Sequence, residues 1–128
     1  MKVGLFITSQ HHRDKDMVSA LDEQIAMVHH ARDRGWDSLF SGQHYLNEGN
    51  NQQFQLVPFL TRLMPEAGEM TTGLGIPLAN LHNPVYVAET VATLTEIKQQ
   101  QHRVRIATQL RRDGLAHIQY RRKPGDNQ

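Results

Sequence analysis

The sequence predicts an α/β fold with a mostly parallel sheet, and three observations carry that prediction. Short β-branched and apolar runs alternate with longer segments whose apolar residues recur at helical spacing. The strand-like runs begin near residues 2, 36 and 70, a unit of about 34 residues, long enough for a helical crossover between parallel neighbours. Turn signals at Gly35, Gly68 and Asn83-Pro84 fall where one element should end and the next begin. A doubly wound sheet and a (β/α)8 barrel both open this way.

The first run, KVGLFIT, has almost no polar interruption and reads as a strand buried on both faces. After the polar SQHHRDKD, residues 16 to 34 place Val18, Leu21, Ile25 and Val28 on one side, opposite Asp22, Glu23 and Arg32. That pattern is an amphipathic helix closed by Gly35. WDSLFSG is the second strand, with Trp36 at its entry, where packing is the expected role. Leu56, Phe59, Leu60 and Leu63 mark a second helix, and MTTGLGIPL a third strand. Asn83 is a natural N-cap with Pro84 at the first helical position, and Val87, Ala88, Val91 and Leu94 form the stripe of a third helix. A candidate fourth strand begins near residue 103, where RVRIATQL alternates charged and apolar residues.

With 128 residues the chain has the length of one domain. It contains no cysteine, which excludes a disulfide framework, a zinc–thiolate site and a thiol nucleophile. No leader and no apolar run of membrane-spanning length is visible, so a soluble cytoplasmic protein is expected. The net charge of +1 conceals a division. Residues 1–97 carry 6 Lys/Arg against 11 Asp/Glu, whereas residues 98–128 carry 8 against 2. The second part, rich in Arg and Gln without an apolar stripe, reads as a basic, divergent tail that adds little to a core. Its charge could attract nucleic acid, but no recognisable reading module accompanies it, so nucleic acid is not an expected partner.

Three stretches resemble the N-terminal part of the luciferase-like flavin monooxygenases, the family of bacterial luciferase and the deazaflavin-dependent oxidoreductases. They are MKVGLF, ARDRGWDSLFSGQHY and TTGLGIPLANLHNPVYVAETVATL, the last being the most specific. The resemblance runs from Met1 to about Ile97. It implies the N-terminal part of a (β/α)8 TIM barrel, about three βα units plus the candidate fourth strand, with the active site at the C-terminal ends of the strands. The Gly-Gly-Arg turn and glycine-rich fourth strand of the family are replaced by Gln101-His102-Arg103-Val104-Arg105-Ile106. The expected organisation is therefore a partial barrel domain, 1–97, and a tail, 98–128, that left the family frame through a frameshift or rearrangement.

By the same resemblance the cofactor is reduced FMN, with a deazaflavin as the alternative. The partners are a small organic substrate and dioxygen, with a flavin reductase and a homodimer also consistent with the family. His44 stands just past the second strand, where many relatives carry two adjacent histidines and this chain has Gln43-His44. Three roles stay open for His44: general base, polar lining of a pocket, or a structural strand end. Gln43 can orient a ligand but cannot serve as a base near neutral pH. Leu74, Gly75 and Ile76 match the stretch that holds a cis peptide against the flavin ring in the family; without the family, the glycines read as relief of crowding. Tyr45, Asn80 and His82 complete the expected pocket, with His82 equally a loop-ordering residue. The pairs His11-His12 and His29-His30 do not converge as metal ligands, since adjacent helical residues point about 100° apart, and no metal site is expected. The competing expectation is an inactive barrel fragment that self-associates through open strand edges.

Overall fold

The computed structural model describes residues 1–44, 49, 51–75, 83–99, 106–111 and 115–117. Its elements are β1 (Gly4–Ile7), β2 (Gln10–His12), α1 (Met17–Asp33), β3 (Ser38–Gly42), β4 (Asn51–Gln53), α2 (Leu56–Leu63), a 3-10 turn (Pro65–Ala67), β5 (Thr71–Gly75), α3 (Pro84–Gln99), β6 (Ile106–Arg111) and β7 (Leu115–His117). The main sheet runs β1-β3-β5-β6-β7, parallel through β6, with β7 returning antiparallel. β2 and β4 form a separate antiparallel pair. The 34-residue unit appears directly in the register, where Leu5 pairs with Leu39 and Thr72 with Ile106. The candidate fourth strand is thus present as β6, inside the segment expected to be a tail.

One face of the sheet carries the core. Ile7, Leu39 and Leu74 pack with Val28 and Ala31 of α1, Leu56, Phe59, Leu60 and Leu63 of α2, and Leu94 of α3. All four apolar residues expected on α2 are buried. The helix ends at Leu63 because Pro65 has no N–H with which to continue the ladder. Gly68 then turns the chain with φ +55°, a conformation that suits a residue without a Cβ.

Three expectations are corrected. β1 is not buried on both faces: among the described residues it pairs only with β3, and Phe6 is 52% exposed on the face away from the helices. On α1 the buried stripe is Ala20, Gln24, Val28 and Ala31, while Val18 is exposed. Small residues let this helix approach the sheet closely, and the larger Leu21 and Ile25 flank the contact, partly buried. Asp16 caps the helix, its Oδ2 accepting from Ser19 N at 2.8 Å. On α3, Asn83 caps as expected, accepting from Val85 N at 2.9 Å, but Ala88 is exposed and the buried line continues instead to Thr95 and Lys98.

Lys98, read as the first residue of the basic tail, is fully buried. Its Nζ donates to Met64 O at 3.1 Å and Gly68 O at 3.0 Å, on either side of the 3-10 turn that follows α2, and Met64 O also accepts from Ala67 N. Burial pushes its pKa down from 10.5 to about 8, with the Glu69 carboxylate pulling weakly the other way. On the outer side, Glu66 accepts from His29 Nε2 and from Arg62, each at 2.6 Å, and Arg32 donates to Glu66 O at 3.1 Å. These contacts join α1 to the end of α2, and the Arg62 guanidinium, then His29, hold the Glu66 carboxyl below its ordinary pKa. No helix among the described residues is long and apolar enough to cross a membrane.

The lysine makes stability depend on alkaline pH with a definite sign. Between pH 8 and 10.5 the folded chain has released the Lys98 proton while the unfolded chain still holds it, so folding is favoured as pH rises through that window. Urea unfolding at pH 8 and pH 10 should show the wild-type midpoint rising relative to Lys98→Met, by roughly 2 kcal/mol in free energy. Parallel pH dependences of the two proteins would contradict the burial of a titrating amine.

Candidate functional site

The C-terminal ends of β1, β3 and β5 meet at a wall with almost no side-chain thickness. Gly42 pairs with Gly75 across β3 and β5, and both turn away from the helices, on the face that carries Phe6. A Cβ on Gly75 would lie 2.5 Å from Phe6 Cε2, and one on Gly42 would lie 3.0 Å from Phe6 Cζ. The far edge of the Phe6 ring therefore occupies the space that two side chains would take. Phe6 leans along its strand toward the rim and keeps half of its surface open. The wall is a backbone floor with an aromatic ring laid across it, and half of that ring's surface is exposed.

Above this wall the loops are held by glutamines. Gln43, half-buried, accepts from Leu56 N through Oε1 at 2.9 Å and so satisfies the first free N–H of α2. Gln55, at the N-cap position, makes no side-chain cap bond, which leaves that task to Gln43. Gln53 donates from Nε2 to Thr8 O at 2.7 Å and to Gly42 O at 3.3 Å, and accepts from His44 N at 3.3 Å. Gln52 donates to His12 O at 3.1 Å and Lys15 O at 2.5 Å, and Gln24 donates to His11 Nε2 at 2.8 Å. At the end of β1, Ser9 takes φ +50°, and its buried Oγ makes no hydrogen bond among the described residues. Just inside the rim, Ser41 Oγ donates to Ile7 O at 2.9 Å and ties β3 to β1.

His44 stands exposed at the end of β3, next to this wall, and Gly75 forms part of the wall itself. Leu74 points the other way, into the helix-side core at 6% exposure, so only its backbone belongs to the rim. Gln43 reaches the rim but turns its acceptor to α2. Tyr45, Ile76, Asn80 and His82 lie outside the described residues, as does the bond between Gly75 and Ile76. No cis peptide occurs among the described residues. Phe6, Gln52 and Gln53 were not anticipated as rim residues. Phe6 was hidden in a uniformly apolar run, and the glutamines lie in NQQF, which has no strand or helix period.

The histidine pairs are each engaged separately. His29 meets Glu66, His30 accepts from Arg34 at 2.7 Å, and His12 faces Asp14. No group of three metal-ligating side chains exists among the described residues. A groove of about 490 Å³ lies beside the N-terminal ends of β1 and β3, lined by Leu5, Met27, Ala31 and Trp36. Its polar members are already paired, Glu23 with Lys15 and His30 with Arg34, so it offers packing surface and no convergent chemistry.

A parallel sheet with helices on one face and a glycine-floored rim at the strand C-termini defines the class, the opening units of a (β/α)8 barrel. The model of the luciferase-like monooxygenases matches residues 1–108, and the chain belongs to that family. The match takes in the first residues of β6. No curated protein matches the chain. The crystal structure of apo-MsnO8 is similar in fold, with a TM-score of 0.68 and 20% sequence identity; the match covers 84% of this chain and 32% of that one. The chain thus spans about a third of the length of that protein.

Two substitutions test the wall and its support. Gly75→Ala should destabilise by about 1–3 kcal/mol, the usual cost of overpacking, and less so in a Phe6→Ala background; equal costs in both backgrounds, measured by urea unfolding, would contradict the ring-on-glycine contact. Gln43→Ala should cost about 1 kcal/mol, as loss of a helix N-terminal acceptor does. Gln43→Glu should retain stability at neutral pH, because a carboxylate also accepts and suits the positive end of α2.

Proposed function

We propose that this chain is the N-terminal part of a flavin-dependent oxidoreductase or monooxygenase, a truncated member whose complete relatives supply the later barrel units. The observation that carries the reading is the Phe6 ring lying on the Gly42–Gly75 floor at the rim where barrel enzymes keep their sites. The floor already accepts one flat aromatic ring at contact distance, and the exposed side of Phe6 can stack a second, which is what an isoalloxazine requires. Phe6, backed by Gly75, and the adjoining His44 are the residues that would hold the ring, with FMN favoured and a deazaflavin as the alternative. When bound, the flavin supplies the electron or hydride chemistry that no protein side chain can perform.

The chain's own residues bind and orient. Phe6, seated on the glycine backbone, would exclude water from one face of the ring. His44 would be the group to accept a proton from a small organic substrate brought within hydrogen-bond reach. In a monooxygenase the second substrate is dioxygen, and a flavin reductase would supply the reduced cofactor.

A second reading is an inactive fragment that self-associates. β1 has a free edge among the described residues, and Phe6 and Val3 are exposed beside it, at 52% and 36%. Titration of the purified chain with FMN, followed by flavin fluorescence and size-exclusion chromatography, separates the two. Saturable quenching at one flavin per chain, weakened about tenfold in Phe6→Ala as expected for loss of an aromatic stacking contact, supports the flavoprotein. Absence of quenching together with large oligomers would overturn it in favour of the fragment.

A further inference from the structure

We propose that Gln53 is a positioning residue that fixes His44 over the Phe6–Gly42–Gly75 wall, an inference that rests on the flavin-site reading of that rim. Two chain segments, the ends of β1 and β3, converge on its amide. Nε2 donates to Thr8 O, the residue after β1, and to Gly42 O, the last residue of β3. Oε1 accepts from His44 N, so the backbone that carries the histidine is bound to the same group. A primary amide is suited to this site because it offers donors and an acceptor in one plane; an ionised carboxylate accepts only.

The Thr8–Ser9 turn shows what the bond to Thr8 restrains. Ser9 is 98% buried, without a hydrogen bond to its Oγ, in the left-handed region at φ +50°. Such a conformation persists where neighbouring contacts over-determine it. Gln53 supplies one of those contacts from β4, which itself pairs with β2 immediately after the turn, Gln10 opposite Gln53. Gln52 anchors the same strand to His12 O and Lys15 O. The small β2–β4 sheet therefore works as a frame, and Gln53 is the side chain through which the frame reaches the loop bearing His44.

The test uses the full chain with Gln53→Glu and Gln53→Met, the second keeping length and packing without any amide. Amide hydrogen exchange at His44 should accelerate about tenfold in Gln53→Met, the factor that accompanies loss of one hydrogen bond, and by less in Gln53→Glu, which keeps an acceptor for His44 N but loses the donors to Thr8 O and Gly42 O, while the amides of Leu39 and Leu60 keep their protection. The NMR chemical shifts of the His44 imidazole should also move in Gln53→Met, because its surroundings change, and FMN quenching should weaken by a similar factor. Unchanged exchange and unchanged imidazole shifts in folded Gln53→Met would overturn the proposal. So would loss of protection spread equally over the core, which marks a merely structural residue. If the wild-type chain fails to bind FMN, the flavin reading falls, while the exchange and chemical-shift results still decide whether Gln53 positions His44.

Discussion

The contact between Phe6 and the two rim glycines is the constraint on which the rest of the structure turns. It requires β1, β3 and β5 to be parallel and offset by one repeating unit, because only then do Phe6, Gly42 and Gly75 arrive at the same end of the same face. A one-residue slip would exchange the faces of a strand, sending Phe6 among the helices and Ile7 to the open side. The opposite face makes the same demand independently. Ile7, Leu39 and Leu74 must point together to close the core over α1, α2 and α3. Core and wall are two consequences of one register, and the chemistry of the rim is set by the packing behind it.

Polar groups then fix what apolar packing leaves loose. On the helix side Lys98 closes the end of α2, and Glu66 holds α1 beside it. At the rim, where loops rather than helices meet, glutamine side chains take over, because an amide can satisfy carbonyl and N–H groups at once. The two ends of the sheet are thus secured by different chemistry. A buried amine bonds carbonyls at one end, and neutral amides stitch the chain ends of β1 and β3 at the other.

Much of the fold was legible because period and turn chemistry agreed. Leu56, Phe59, Leu60 and Leu63 marked a helix, although the turn signal read for it was Gly68 and Pro65 stops it sooner, and Asn83-Pro84 announced α3. The face of α1 was not legible, since Ala20 and Gln24 are poor hydrophobic markers and their burial follows from close approach to the sheet, a tertiary fact. Lys98 looked like the start of a basic tail because charge alone does not reveal that a long stem can carry a buried amine to backbone carbonyls. Of the site, His44 and Gly75 could be placed from the strand ends. Gln43 was read as facing a ligand, yet the structure gives its acceptor to α2, and Gln53 was invisible because its role depends on two chain segments that only the fold brings to it.

The central claim is tested most directly by the proton chemical shifts of the Gly42 and Gly75 Cα–H groups in the wild-type chain and in Phe6→Leu. A phenyl ring against the two glycines displaces those resonances by its ring current, and Phe6→Leu should return them toward ordinary glycine values while leaving a folded spectrum. Glycine shifts that are ordinary in the wild type and unmoved by the substitution would contradict the register, the wall and the site built on it.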